Sequence, residues 1–369
     1  MGWIVYNMIQ TISERCSTML YEKTINRCTI VLTHNCNLRC NFCYAKSAGY
    51  KESDRISIKN LKEIVGFCRD AKVKYLVFTG GEPLLYPNLV DVVRYIKAST
   101  PSISVAIPTN GVLLKDLDYC KKLIESGVVY FDISIKGRNS DEWYKATGHD
   151  GSSSQLIAIH NLSTLPVEFT CSMVITPENV HTFCDSIRVA RDNGAKQFSF
   201  TFLIDNTDSE EKGEEYLENH NPFALIAAFV SQIEKLNAIT KEWWIEYSFP
   251  LCAYSKEQLT LLEGKLASPC QIHMCNAVTF NTRMELLPCD MYIQQSIGKL
   301  GEDFISYNDY IKFSEKPLFR NIMDPLRRLP SSNCESCEYL ESCYGGCPVL
   351  WKNYSYDELM VFKNEVNII

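Results

Sequence analysis

Short apolar runs rich in β-branched and aromatic residues alternate along the chain with segments whose apolar positions recur at helical spacing. The runs predict six strands, at residues 28–33, 73–79, 102–107, 129–135, 167–175 and 197–203. Intervening apolar residues at i, i+3 and i+4 predict amphipathic helices, for example Leu61, Ile64, Val65 and Cys68, then Leu89, Val92, Val93 and Ile96. This order predicts a parallel α/β sheet, open or curled into a barrel, with its functional site at the carboxyl ends of the strands.

The pattern changes after the sixth predicted strand. Residues 205–221 are acidic and poor in apolar side chains, which predicts a surface loop or linker. A helix at residues 222–236 and a strand at residues 243–249 are expected next. From Pro250 onward the strand-helix rhythm stops and cysteines become frequent. We therefore expect an N-terminal extension at residues 1–27, a barrel domain at 28–250 and a small cysteine-rich domain at 251–369.

The composition is that of an ordinary globular protein, with 46% hydrophobic and 22% charged residues among 369. A net charge of −7 argues against a nucleic-acid partner. The start of the chain lacks an export signal and no stretch of about 18 apolar residues occurs, so we expect a cytoplasmic protein that does not enter membranes. Because thiols stay reduced in the cytoplasm, metal binding explains clustered members of the 17 cysteines better than disulfides do.

Three cysteines follow the first predicted strand as Cys36-x3-Cys40-x2-Cys43. Three thiolates within such a short loop can face one metal centre. A structural zinc site needs four ligands, and no obvious fourth partner flanks these three. A 4Fe-4S cluster normally takes four cysteines, so three would leave one iron free for an exogenous ligand. Three merely structural thiols are the alternative.

A second motif, Thr79-Gly80-Gly81-Glu82-Pro83, follows the second predicted strand. Together with the cysteine triplet and the strand order, it resembles the layout of the radical S-adenosylmethionine (radical SAM) enzymes over residues 28–250. The resemblance implies a partial (β/α)6 barrel in which the three cysteines hold a 4Fe-4S cluster and SAM chelates the free iron. It also implies an external one-electron donor of the flavodoxin or ferredoxin type. That electron cleaves SAM to a 5′-deoxyadenosyl radical, which abstracts hydrogen from the substrate.

Within this resemblance, the second motif binds the methionine end of SAM. Gly80 and Gly81 lack Cβ atoms where backbone must approach a ligand closely. Glu82 is a charged acceptor for the ammonium group of SAM. An ordinary turn is the alternative explanation when the motif is taken alone.

Five further positions match places near SAM in the family, although some would otherwise be plain core positions. These cofactor-binding candidates are Phe42 beside the adenine, Asn110 in the turn after the third strand, Ser134 on the fourth strand, Lys145 in place of a family arginine, and Leu203 on the sixth strand.

The C-terminal cysteines resemble the SPASM extension, which carries auxiliary iron-sulfur clusters in enzymes that modify peptides and proteins. The resemblance implies two ligand sets: Cys270, Cys275, Cys289 and Cys347 for a nearer cluster, and Cys334, Cys337 and Cys343 for a farther one. One or two auxiliary clusters are therefore expected. Zinc bound by the last four of these cysteines is the alternative.

This region departs from the SPASM pattern in two ways. Met284 stands where a turn glycine is usual, so we expect the hairpin to turn there without a positive φ, or to turn elsewhere. No cysteine follows Cys347, which leaves the farther cluster one thiolate short. Candidate replacements are Asp357, Glu358 and Glu365, and the alternatives are an open site or one that binds a substrate group.

Two residues outside these ligand sets are candidate catalytic groups. Asp290, directly after Cys289, matches a proton acceptor of the anaerobic sulfatase-maturating enzymes, and a loop-capping role is the alternative. Cys252 lies in a loop between the two domains, where a thiol could reach a substrate radical, and a bystander role is the alternative. The other cysteines are expected to be mostly core residues: Cys16, Cys28, Cys68, Cys120, Cys171 and Cys184.

These resemblances favour a peptide maturase that abstracts hydrogen from a ribosomally synthesised peptide with a leader, giving a cross-link or an epimerised residue. The roughly 27 residues before the first strand are too few for a separate leader-binding domain, so we expect the leader to be recognised elsewhere. The alternatives are formylglycine formation of the sulfatase-maturase kind and a non-catalytic iron-sulfur or zinc scaffold.

Overall fold

A computed structural model describes residues 24–204, 211–246, 249–266 and 270–366. The strands in these ranges are β1 Arg27–Thr33, β2 Tyr75–Gly80, β3 Ser104–Thr109, β4 Val128–Ser134, β5 Glu168–Ile175, β6 Phe198–Phe202, β7 Trp243–Ile245, β8 Ala277–Phe280, β9 Glu285–Leu287 and β10 Gly298–Lys299. They form one sheet in the order β10-β9-β8-β1-β2-β3-β4-β5-β6-β7. All pairs from β8 through β1 to β7 are parallel, whereas β9 pairs antiparallel with both β8 and β10.

Helices connect these strands and cover one side of the sheet. In the described ranges the α-helices are α1 Ile58–Asp70, α2 Leu89–Ser99, α3 Leu117–Ser126, α4 Ser140–Thr147, α5 Ser152–Ser163, α6 Phe183–Asp192, α7 Gly213–Asn219, α8 Pro222–Ser231, α9 Ile233–Ile239, α10 Lys256–Leu261, α11 Gln271–Met274, α12 Tyr307–Phe313, α13 Pro317–Arg327, α14 Leu340–Cys343 and α15 Tyr356–Val366. None of the described helices combines the length and the apolar character needed to cross a membrane.

Each central strand has one apolar face and one more polar face, because successive side chains of a strand point to opposite sides. On β4, Phe131 and Ile133 are fully buried in the main core. Asp132 and Ser134 alternate with them and lie on the other side, where they keep partial exposure. The helices therefore bury the apolar face, and the inner face of the partial barrel carries polar side chains near the carboxyl ends of the strands.

The predicted fold class, a partial α/β barrel followed by a cysteine-rich region, is confirmed. The six expected barrel strands are all present, with ends shifted by at most two residues. The seventh expected strand is shorter than predicted and ends at Ile245, and residues 247 and 248 lie outside the described ranges. The single helix expected at 222–236 is two helices, α8 and α9, separated by Gln232.

The interpretation of residues 205–221 as a surface loop is wrong for its second half. Residues 205–210 lie outside the described ranges, but Gly213–Asn219 forms α7. Leu217 is fully buried, and the ring of Tyr216 lies 5.9 Å from that of Tyr354. Two apolar residues on one side of a short acidic helix are enough to hold it against the core.

The cysteine-rich region continues the barrel sheet. Strand β8 pairs in parallel with β1, so this region adds three strands beside the first strand of the barrel. The turn between β8 and β9 corrects the expectation for Met284, whose φ of 65° is left-handed. A non-glycine residue there costs roughly 1–2 kcal/mol. Burial of the Met284 side chain, which is 4% exposed, offsets that cost.

Candidate functional site

The first cysteine triplet lies in the loop after β1. Cys36, Cys40 and Cys43 are all partly buried. The loop is fixed by two backbone hydrogen bonds to the end of α4, from Arg39 N to Thr147 O at 2.9 Å and from Asn41 N to Ala146 O at 3.0 Å.

The three thiols share one environment. The pKa of Cys36 is raised to about 12, chiefly by burial and further by the negative charges of Glu82, Cys40 and Cys43. Across the part of the chain that the structure describes, no three His, Cys, Asp or Glu side chains converge on a single metal ion. Each cysteine of an iron-sulfur cluster binds a different iron, so cluster ligands surround a volume rather than a point. Three neighbouring thiols on one ordered loop fit that donor set, and their assignment as ligands stays a prediction.

Gly80 and Gly81 pack against the backbone of residues 33–35 and do not face an open ligand space. A Cβ atom on Gly80 would lie 2.1 Å from the carbonyl oxygen of Thr33, and one on Gly81 would lie 2.3 Å from that of Asn35. Two backbone bonds of 2.8 Å, from Gly81 N to Thr33 O and from Glu82 N to Asn35 O, hold the two segments together. The close approach expected for a ligand is therefore made to the segment leading into Cys36.

Glu82 is buried, with 2% exposure, at the centre of a hydrogen-bond network. Its carboxylate accepts from Thr109 Oγ1 at 2.6 Å, from Asn110 N at 2.9 Å and from Leu84 N at 3.0 Å. Burial raises the pKa of Glu82, and these donors oppose the rise. A carboxylate has about four acceptor positions, so one is left for the ammonium group that the sequence predicts.

Asn110 and Ser134 belong to the same network. Asn110 Nδ2 donates to Asn37 Oδ1 at 2.8 Å, which ties the end of β3 to the cysteine loop. Gln155 Nε2 donates both to Asn110 O at 2.7 Å and to Ser134 O at 2.9 Å. The structure thus brings Glu82, Asn110 and Ser134 together. It adds Gln155, which lies on α5 with no sequence signal to mark it.

The structure places Lys136, rather than the predicted Lys145, beside these residues. Lys136 Nζ donates to Ser134 Oγ at 2.7 Å and lies 5.1 Å from the ring centre of Phe42. Lys145 is exposed on α4. The alternation of strand residues could have identified Lys136, because it stands two positions after Ser134 and so lies on the same side. Leu203 is partly buried at the end of β6, where its N–H donates to Ile175 O at 2.9 Å.

The inner face of the partial barrel holds two neighbouring carboxylates. Asp132 on β4 has its pKa raised to about 7, mainly by burial and then by the charge of Glu246. Its Oδ1 atom has no hydrogen-bond partner. Glu246 follows β7, is reached by solvent, and accepts from Thr201 Oγ1 at 3.5 Å. Both carboxylates therefore lie on the polar inner face of the partial barrel.

Asp290 lies between the two cysteine regions. Burial raises its pKa, and the charge of Arg27 opposes the rise. Burial raises the pKa of Tyr44, the residue next to Cys43, and the charge of Asp290 adds to the rise. Tyr44 Oη lies 3.3 Å from Thr79 Oγ1 at the end of β2. The predicted proton acceptor is therefore close to both the first cysteine loop and the inner face of the sheet.

Three of the four cysteines predicted for the nearer auxiliary cluster share one environment. The pKa of Cys347 is raised to about 12, first by burial and then by the charge of Cys270. Burial and then the charge of Asp290 raise the pKa of Cys289, and the charges of Cys347 and Cys270 add to the rise. Cys275 lies at the end of α11, the helix that begins directly after Cys270, and its Sγ donates to His273 O at 3.5 Å.

The farther set surrounds a cavity. Cys334, Cys337 and Cys343 line a space of about 410 Å³ not filled by atoms, part of which is open to solvent, and Cys252 lines the same space. Burial raises the pKa of Cys252 to about 12, and the charges of Cys343 and Cys334 add to the rise. Cys252 therefore lies with the farther set.

The carboxylates proposed for the vacant ligand position do not line this cavity. Asp357 and Glu365 are exposed. Glu358 accepts from Ser355 N at 2.7 Å at the start of α15.

The expected core cysteines are confirmed as buried residues wherever the structure describes them: Cys28, Cys68, Cys120, Cys171 and Cys184. Cys16 lies outside the described ranges.

Comparisons with known proteins support the assignment of the barrel. The model of the Radical SAM superfamily matches residues 30–209. The chain is 29% identical over 147 residues to a GTP 3',8-cyclase of Chlorobaculum tepidum, covering 40% of this chain and 43% of the cyclase. It is 30% identical over 180 residues to the antilisterial bacteriocin subtilosin biosynthesis protein AlbA of Bacillus subtilis, covering 48% of this chain and 39% of AlbA. The chain thus spans less than half the length of these two relatives.

Two solved structures share the fold over most of the chain. SuiB of Streptococcus suis bound to precursor peptide SuiA has a TM-score of 0.66 at 18% identity, covering 91% of this chain and 76% of SuiB. The structure of anSMEcpe with bound AdoMet also has a TM-score of 0.66 at 18% identity, covering 93% of this chain and 94% of anSMEcpe. Because more than nine tenths of the chain is covered, the shared fold includes much of the cysteine-rich region.

Proposed function

We propose, from the premise that this chain carries a radical SAM domain, that it cleaves SAM and abstracts hydrogen from a peptide. The observation that carries the peptide part is the fold shared over at least nine tenths of the chain with two proteins in complexes with peptides. One is SuiB bound to precursor peptide SuiA, and the other is anSMEcpe bound to AdoMet and the Cp18Cys peptide. The cysteine-rich region after Pro250 and the polar inner face of the barrel are consistent with this proposal.

Bound clusters would supply an electron to SAM and accept one from the substrate. Cys36, Cys40 and Cys43 would hold the cluster at the SAM site. Glu82 offers its remaining acceptor position to the SAM ammonium group. Ser134 offers a polar contact next to it.

Two other contacts would position the rest of SAM. The Lys136 ammonium lies beside Ser134 and Phe42, where it can bind the SAM carboxylate. Phe42 and Leu203 would provide apolar contacts for the adenine.

Asp290, close to the first cysteine loop and to the inner face of the sheet, is the proposed proton acceptor. Its burial raises its pKa, which makes it a stronger base than an exposed aspartate once it is ionised. The reaction we favour is oxidative cross-linking. The substrate loses one hydrogen atom to the 5′-deoxyadenosyl radical and then a proton and an electron as the new bond forms. Epimerisation is the alternative and needs a hydrogen donor instead.

A substitution at Lys136 is expected to weaken SAM binding. Lys136→Met should raise the Kd for SAM by roughly 10–100-fold, the effect of losing a hydrogen bond to a charged group at about 1.5–3 kcal/mol. Lys145→Met is the matched control, because Lys145 is exposed on α4 and should leave the Kd unchanged. Equilibrium dialysis of the reconstituted proteins with labelled SAM measures both values. Weaker SAM binding in Lys145→Met alone would favour Lys145, the residue predicted from the sequence, as the SAM contact.

The GTP 3',8-cyclase relatives provide a second candidate substrate. The match to the Chlorobaculum tepidum cyclase covers 40% of this chain. Its sequence identity, 29%, is close to the 30% of the match to AlbA. GTP is therefore tested beside the peptide. Formylglycine formation remains a variant of the peptide proposal.

The proposed function is tested with the anaerobically reconstituted enzyme, a reduced flavodoxin or dithionite, SAM, and short peptides encoded beside its gene. We expect 5′-deoxyadenosine and a peptide lighter by two hydrogens for each cross-link. Unchanged peptide mass with one deuterium gained in heavy water would indicate epimerisation instead. Conversion of GTP with no change in any peptide would reject the peptide proposal.

A further inference from the structure

The farther auxiliary set, which lacks a thiolate in the sequence pattern, has a fourth thiol around its cavity. Cys334 and Cys337 lie in the segment before α14, Cys343 ends that helix, and Cys252 comes from the linker before α10. All four line one cavity. Cys252 and Cys343 are 91 positions apart in the sequence, so only the fold brings them together.

The segment that carries Cys252 is docked against this set by specific contacts. The backbone N–H of Leu251 donates to Cys343 Sγ at 3.3 Å. Gly346, with a φ of 77°, allows Pro250 to approach, because a Cβ atom there would lie 2.9 Å from Pro250 N. The approach of this segment therefore depends on Gly346.

The other side of the Cys252 segment is held by the last helix. Lys363 Nζ on α15 donates to Cys252 O at 2.6 Å and to Tyr254 O at 3.2 Å. The Cys252 segment is thus fixed on one side by α15 and on the other by the loop that carries Cys343 and Gly346. A thiol held in this way is pre-positioned as a ligand.

We propose that Cys252 is the fourth cysteine ligand of the farther auxiliary cluster, together with Cys334, Cys337 and Cys343. The inference deepens the proposed function and rests on its assignment of an auxiliary iron-sulfur cluster to this region. Four thiolates complete the ligand count of a 4Fe-4S cluster. The site is then closed to substrate, and the tail carboxylates are not required.

This ligand role excludes the hydrogen-donor role suggested by the sequence. A cysteine binds iron as the thiolate and gives up its proton when the metal binds. A metal-bound Cys252 has no S–H hydrogen to give to a substrate radical. The farther cluster would then link the Cys252 segment to the segment that carries Cys334, Cys337 and Cys343.

Iron content and electron paramagnetic resonance (EPR) spectra of the anaerobically reconstituted full chain test the proposal. The unsubstituted protein should bind about twelve iron atoms if all three clusters are of the 4Fe-4S type. Cys252→Ala should lose about four of them, or give a new 3Fe-4S signal on mild oxidation because one iron has lost its ligand. Cys252→Ser keeps an oxygen ligand and should retain most of the iron with an altered spectrum, which separates lost ligation from lost folding.

Two kinds of control identify the source of any change. Cys184→Ala removes a buried cysteine on α6 and should keep the full iron content. The tail variants Asp357→Asn, Glu358→Gln and Glu365→Gln should also keep it. Iron loss in a tail variant, with none in Cys252→Ala, would overturn the proposal in favour of a carboxylate ligand.

Cys337→Ala tests whether the farther cluster exists at all. Iron lost in Cys337→Ala but fully kept in Cys252→Ala, with an unchanged spectrum, overturns the ligand assignment alone. An unchanged iron content in both variants would show that these cysteines hold no iron-sulfur cluster, which overturns the assignment on which the inference rests. Zinc in place of iron, lost from both variants, overturns its iron-sulfur identity. The peptide and GTP assays on the unsubstituted enzyme report separately on the proposed function.

Discussion

Replacement of Cys36, Cys40 or Cys43 by alanine is expected to abolish 5′-deoxyadenosine formation, reducing it to the background of protein-free reactions. Each thiol would hold one iron of the cluster, and the fourth iron must stay free for SAM. Loss of one thiol would therefore leave a second iron without a protein ligand. The three thiols lie close enough that the charges of Cys40 and Cys43 raise the pKa of Cys36. Each variant should also lose about four iron atoms and keep the auxiliary iron.

The matched control for these variants is Cys68→Ala. Cys68 is fully buried on the core face of α1, away from the cysteine loop, and its replacement removes packing and a side-chain hydrogen bond with Cys28. We expect full iron content, unchanged SAM cleavage and a slightly lower unfolding temperature. SAM cleavage at the wild-type rate in any variant of Cys36, Cys40 or Cys43 would reject the assignment of the loop.

The strands were predictable because each is a short apolar run with one fully buried face. Phe131 and Ile133 on β4 illustrate this. The strands of the cysteine-rich region were not predictable in the same way. Strand β8 has four residues, β9 three and β10 two, which is too short for an alternating pattern, and they are strands only because β8 pairs with β1.

Some site residues were likewise predictable from the sequence and others were not. Glu82, Asn110 and Ser134 follow strands in the sequence, and parallel strands end at one edge of a sheet, so their meeting was predictable. Gln155 approaches them from a helix. Cys252 reaches the farther set from a distant part of the chain, and spacing arguments cannot detect such a contact.

Two residues are placed differently from the expectation, for local physical reasons. Met284 adopts a left-handed φ because its buried side chain offsets the strain. Lys145 was chosen by its distance along the sequence, but it lies on a helix and is exposed. Lys136 is two residues beyond Ser134, so its side chain points to the same side of the strand as that of Ser134. Side-chain direction, more than distance along the sequence, decides which lysine lies beside Ser134.

A single added methyl group is expected to have a large effect in Gly81→Ala. The new Cβ atom would lie 2.3 Å from Asn35 O and 2.6 Å from His34 O, both backbone atoms that cannot rotate away. The segment leading into Cys36 must therefore move, and overpacking of this kind costs about 1–3 kcal/mol or more. We expect a lower unfolding temperature and a loss of SAM cleavage of tenfold or more, because the cysteine loop moves relative to Glu82.

Gly66→Ala makes the same chemical change where it should do no harm. Gly66 lies within α1, and a Cβ atom there would meet no atom within 4 Å. Alanine is favoured over glycine inside a helix by about 0.5–1 kcal/mol, so this variant should unfold at a higher temperature with unchanged SAM cleavage. Thermal unfolding and 5′-deoxyadenosine formation, measured on both reconstituted variants, distinguish the two effects. Equal behaviour of Gly81→Ala and Gly66→Ala would mean that the contact between the glycine motif and the cysteine loop does not position the site.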